Sequence, residues 1–285
     1  MELKPATTYR TQLDKLKSRN CIVVDESFCL SVLSSINYYR FSAYYLPFKQ
    51  PDDTYFPNTT FERVYGIYEF DRKMRGILFS ALEEIEVKLR TKLAYYHSHM
   101  YGPDGYTFEY NFNLKHDHQS MMTHIDSEIE NNANLLFVKH HRANYDSKFP
   151  LWVVMELFSF GMLSYFYADM LQSDQRNIAN VDFGLDNAVL RSWLRCCTDL
   201  RNICAHGGRL YYRKFSTTPK TPAGTSTLSN RLFDMILIIK TLYPSESKWN
   251  TEVLPSVSAL INEYMGIIKL NHIGFPEKWE TALAR

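Results

Sequence analysis

Residues 199–213, DLRNICAHGGRLYYR, set an arginine, an asparagine and a single histidine among small or apolar neighbours, break on Gly207 and Gly208, and follow with two more arginines. On a helix Asn202 and His206 are four apart and share a face, and Arg201 lies one step round with a side chain long enough to join them. The spacing therefore predicts that Arg201, Asn202 and His206 converge at one end of a helix that the glycines stop. A histidine moves protons near neutral pH. A guanidinium holds phosphate oxygens and offsets charge on a phosphorane-like transition state. An amide orients the histidine or a hydroxyl. These groups suffice to cleave RNA without a metal, because the ribose supplies its own nucleophile, the 2′-OH. A helix C-terminus favours imidazolium, the form a general acid needs.

The flanking charge has the right sign for this chemistry. Arg191, Arg195, Arg201, Arg209, Arg213 and Lys214 stand against Asp199 alone, in a chain of net charge +1. Tyr211 and Tyr212 are interleaved, and aromatic rings stack on bases. The candidate RNA-binding residues are Arg195, Arg209, Tyr212, Arg213 and Lys214. A plainer reading stands beside this one. A histidine before glycine is also an ordinary helix stop. Arg201 can pair with Asp199 or with Glu156, an acid in an apolar stretch that needs a partner, for which Arg201 and Arg195 are the candidates. Both acids are therefore assigned supporting roles.

Other chemistry-bearing groups read as structural. Arg90 and His97 are spaced like a second arginine–histidine motif, but Thr91 follows the arginine and Glu86 already faces it one helical turn away. The pairs His97/His99 and His116/His118 would diverge on a helix and chelate poorly, so no metal and no cofactor is expected. Asp71, Arg72 and Arg75 interrupt an apolar stripe, either as a buried ion pair or as a patch that faces RNA. Five cysteines without a C-x-x-C pair read as buried free thiols of a reducing compartment.

The elements that must hold these residues follow helical periodicity. Leu13 and Leu16 mark a short amphipathic helix, and Asp25 can cap the next. Residues 36–53 read as a loop. The clearest element covers 61–97, roughly 55 Å if straight, with Glu84–Lys88 and Glu86–Arg90 pairs on its outer face and Gly66 and Gly76 as points of bending or breakage. Residues 117–141 read as a polar helix, and the apolar stretch 147–171 as a buried helix begun by Pro150. The helix over 188–205 carries Leu190, Trp193, Leu194, Cys197, Leu200 and Cys204 on one stripe. A polar linker covers 216–230, and helices follow over 231–243 and 249–264. No alternating strand pattern appears, so the class is all-α. No apolar run is long enough to span a bilayer, and the N-terminus lacks the apolar segment of a signal peptide. A soluble, cytoplasmic protein without membrane association is expected.

The residues Arg201-Asn202-Ile203-Cys204-Ala205-His206 fit the R-N-x-x-x-H signature of HEPN-domain ribonucleases. Five blocks in chain order resemble the Abi (abortive infection) family of the AbiD/AbiF type: INYYRFSAYYLPF (36–48), VYGIYEFDRKMRGILFSALEEIEVKLRTKLAYY (64–96), FPLWVVMELFSFGMLSYFY (149–167), SWLRCCTDLRNICAHGGRLYYR (192–213) and GFPEKWE (274–280). Where the family pattern has Trp-Asn-Arg after the motif, this chain has Tyr211-Tyr212-Arg213. The resemblance implies a HEPN-like helical bundle with an N-terminal helical extension over 1–55, a core over 56–215 and a C-terminal helical segment over 216–285. It implies phage defence by metal-independent RNA cleavage, under the control of an RNA or protein antitoxin. Arg201 and His206 would be the catalytic pair, with Asn202 the polar position between them. One motif brings one arginine and one histidine, whereas cleavage needs a base, an acid and charge on the phosphate. Two motifs across a two-fold axis bring all of these, so a homodimer is expected. The alternatives are a non-cleaving HEPN module that binds RNA or an antitoxin, and a purely structural dimerisation bundle.

Overall fold

The computed structural model describes Leu3 and residues 5–222 and 228–285. They form helices α1 (Tyr9–Ser18), α2 (Glu26–Ser35), α3 (Tyr38–Ser42), α4 (Phe61–Tyr101), α5 (His118–Asn131), α6 (Leu136–Asn144), α7 (Leu151–Val154), α8 (Phe160–Asp169), α9 (Gln172–Phe183), α10 (Asn187–Ala205), α11 (Leu232–Leu242), α12 (Glu246–Lys248), α13 (Leu254–Glu263) and α14 (Trp279–Leu283). Only isolated β-bridges occur among the described residues, so the fold is all-α. None of their helices is long and apolar enough to cross a membrane.

Helix α4 is the spine. The Thr60 side chain accepts the Arg63 N–H at 3.1 Å and starts it. Neither glycine breaks it: Gly66 leaves room for Ile267, whose Cδ1 would lie 3.0 Å from an added Cβ. Its buried stripe of Val64, Ile67, Phe70, Met74, Leu78, Ile85, Leu89 and Leu93 packs against α7, α8, α10, α11 and α13. Helix α10 turns Leu190, Trp193, Leu194, Cys197, Leu200 and Cys204 into the same core, each burial favourable by roughly 1.5–3 kcal/mol for the large side chains. The core is continuous from Leu13 to Leu283. All five cysteines are buried and unbridged.

Several expectations need correction. Residues 36–53 are not simply a loop: Asn37 caps α3, and a 3₁₀ turn follows over Ala43–Phe48. The polar stretch 117–141 is two helices broken at 132–135. The stretch 147–171 is not one buried helix. The Arg90 guanidinium draws off the carbonyls of Met155 (2.8 Å) and Phe158 (3.0 Å), and Ser159 then caps α8. Arg90 is thus structural, bound also to Glu86 at 3.1 Å. The Glu84–Lys88 pair is absent: Lys88 lies over the Phe183 ring, and Glu84 meets Lys248. The 216–230 stretch carries no helix where it is described, and residues 223–227 of it lie outside the described residues.

His97 and His99 do diverge, but His116 and His118 meet. His116 lies in a loop rather than on a helix, and its Nε2 is 3.2 Å from His118 Nδ1, while its Nδ1 is 3.0 Å from Asp169.

Candidate active site

Helix α10 ends in a pair of crossed main-chain bonds, Gly208 N–H to Ile203 O at 2.7 Å and Gly207 N–H to Cys204 O at 3.2 Å. This closure needs a left-handed residue, and Gly207 supplies it with φ +64°. His206 is the residue at which the helix stops. Its side chain and that of Asn202 are exposed on the outer face of α10, in line with Arg191 and Arg195. Neither ring nitrogen of His206 has a partner among the described residues, so both are open to a ligand.

Two tethers hold this turn. The Arg40 guanidinium, from α3, donates to the carbonyl oxygens of His206 (3.3 Å) and Gly207. It thereby places a cation where the helix dipole is negative. Beneath the turn lies Asp71, wholly buried on α4. Its carboxylate accepts from Leu210 N–H (2.7 Å), Tyr211 N–H (2.8 Å), Tyr44 O–H (2.8 Å) and Arg75 Nη1 (3.1 Å). Arg75 also donates to Gly208 O at 3.1 Å. Burial pushes the Asp71 carboxyl above its ordinary value, and these donors oppose the shift. Of the two readings left open for Asp71 and Arg75, the structure selects the buried ion pair; Arg72 faces solvent and pairs with Glu69 at 2.9 Å.

Arg201 does not reach Asn202 or His206 by any hydrogen bond among the described residues. One third of its side chain is exposed, and it leans on α4: Nε is 3.8 Å from Glu86 Oε2, and the guanidinium lies 5.5 Å from the centre of the Phe79 ring. Glu86 thus lies between Arg90 and Arg201. Glu156, assigned as a partner for Arg201, is a correction. The break after Met155 turns it to solvent, where it lines a groove with Arg90 and Trp152. Asp199 also misses Arg201 and instead accepts the Thr217 hydroxyl proton.

The remaining candidates divide. Lys214 and Arg195 are exposed, and Tyr212 is 38% exposed, with φ +55° and its ring edge-on to His272. Arg209 is half-buried, and burial lowers its ordinary value; its guanidinium donates to Tyr211 O at 2.8 Å. Arg213 donates to Arg209 O at 3.3 Å. Arg209 and Arg213 therefore hold the loop together before they meet any ligand. Arg40 and Phe79 were not marked by the sequence; Glu86 was marked only as the partner of Arg90, and Asp71 and Arg75 signalled themselves as charges within an apolar stripe.

Among the described residues, no three His, Cys, Asp or Glu side chains are grouped as a metal cage would require. The molecule is thus an all-α protein with an exposed histidine at a glycine-stopped helix end and an arginine on the adjoining face. A family model described as Abi-like protein matches residues 31–212, from α2 through the motif, and the chain belongs to that family. No curated protein and no solved structure matches the chain.

Proposed function

We propose that this abortive-infection protein is a HEPN-type ribonuclease that works as a homodimer and is restrained by an RNA or protein antitoxin. The carrying observation is His206: exposed, without a partner, and fixed in place by Arg40, Gly207 and the buried Asp71–Arg75 pair. The RNA 2′-oxygen attacks phosphorus, the P–O5′ bond breaks, and a 2′,3′-cyclic phosphate and a 5′-hydroxyl form. His206 moves the protons, Arg201 offsets the phosphorane charge, and Asn202 orients. The open face of α10, with small Ala205 on it, permits the close approach of a second copy. Phe79 and Val87, exposed beside Arg201, extend that face with apolar surface.

The hold of Glu86 and Phe79 on Arg201 favours a second reading, a non-cleaving RNA- or antitoxin-binding module. Mixing decides between them. Arg201→Ala and His206→Ala proteins, each inactive alone, regain cleavage when combined if one site draws on both chains. No recovery, with heterodimers demonstrated, contradicts the composite site.

A further inference from the structure

Toward the other end of α10's outer face lies a trench of about 500 Å³. Its floor is α10, one wall is α8, and Lys220 closes the other side. That second wall is fastened along α10: Trp193 Nε1 donates to Lys220 O at 2.9 Å, and Lys220 N–H donates to Ser192 Oγ at 2.8 Å. The two helices are in ordinary contact at Gly161, where an added Cβ would lie 3.5 Å from Thr198 Cγ2. The Lys220 wall is thus held to the floor by two hydrogen bonds.

Its lining is basic. Arg191, Arg195 and Lys220 are exposed there, and none forms an ion pair among the described residues. The single acid, Asp199, already accepts from Thr217. At the rim stands Tyr165, 67% exposed, with no ring or hydrogen-bond partner among the described residues. Unpaired cations spaced along a groove beside a free aromatic face are the parts that hold a single-stranded nucleic acid: the cations take phosphates and the ring takes a base. Arg195 and His206 lie on the same face of α10, about 16 Å apart at the helical rise per residue.

We infer that this trench is the site for the RNA strand flanking the cleaved bond, with Tyr165 stacking on a base and Arg191, Arg195 and Lys220 holding phosphates. The inference rests on the ribonuclease reading for what lies at His206, but the trench binds RNA whether or not His206 cuts it. A protein partner would favour carboxylates or an apolar surface, and the free tyrosine face beside three unpaired cations fits bases and phosphates better.

The test uses the full chain. With His206→Ala, which keeps the strand intact, fluorescence anisotropy of labelled single-stranded RNA is read over a salt series. Tyr165→Ala weakens binding about tenfold, and Tyr165→Phe, which keeps the ring, regains most of it. Arg191→Gln with Lys220→Gln lowers the slope of log affinity against log salt by about 1.4, for two lost phosphate contacts. All of these side chains are exposed, so the variants keep the fold. Cleavage is measured separately with His206 present. Trench-dependent binding in a protein that cuts no RNA upholds the trench and overturns only the nuclease reading. RNA cleavage with affinity and slope unmoved by these substitutions overturns the trench. So does an unmoved RNA affinity when a protein partner is lost.

Discussion

The Arg40 guanidinium donates to the carbonyl oxygen of His206 at 3.3 Å, so an N-terminal helix closes the end of the helix that carries the motif. The guanidinium sits where a side chain on the next residue would crowd it. A Cβ on Gly207 would lie 2.9 Å from Arg40 Nη1, at a φ of +64° that other residues resist.

Gly207→Ala is therefore expected to lower stability by about 1–2 kcal/mol from backbone strain alone, and to displace Arg40 as well. Urea denaturation measures this. A variant as stable as wild type would mean that the turn relaxes without cost.

Removing Asp71 should cost more. Asp71→Ala leaves Arg75 charged and buried and strips the acceptor from the N–H groups of Leu210 and Tyr211. Breaking a buried pair in this way costs roughly 3–5 kcal/mol. Protease susceptibility of the 207–213 loop should rise with it, and a loop as protected as in wild type would contradict this anchoring role.

His97 makes stability depend on pH. It is wholly buried against the rings of Tyr101, Phe112 and Phe166, and neither ring nitrogen has a partner among the described residues. Burial pushes its imidazole from an ordinary 6.5 down to about 4, against a weaker pull from Asp174. The unfolded chain takes up the proton first, so stability is lost as pH falls below about 6.5 and the loss levels off near 4. Between pH 7.5 and pH 5 the loss is about 2 kcal/mol. His97→Phe should lack this component, and equal pH slopes in the two proteins would refute the assignment.

How far the sequence revealed the molecule depended on the range of the interaction. Helices α4 and α10 were legible because their apolar stripes repeat every three to four residues over many turns. Asp25, Gly207 and the Glu86–Arg90 pair were legible because caps and one-turn pairs are local. The break at Met155–Phe158 was not, because it is stabilised by Arg90 from a distant part of α4. The same break exposed Glu156, and so its pairing with Arg201 was misread. Arg40 gave no signal at all, since nothing local distinguishes a guanidinium that will reach a helix end 166 residues away. The motif was visible as spacing. That Arg201 leans toward Glu86 and Phe79 rather than His206 follows from how α4 and α10 cross.

In the proposed mechanism His206 moves protons during RNA cleavage. Single-turnover cleavage of a labelled RNA, in chelator, by wild type and His206→Ala measures it directly, with thermal melts of both to show equal folding. Wild type is expected to cut, leaving 2′,3′-cyclic phosphate and 5′-hydroxyl ends, and the variant to be slower by about 10²–10⁴-fold. Cleavage by a folded His206→Ala protein at the wild-type rate, or wild-type cleavage strictly dependent on magnesium, would contradict it.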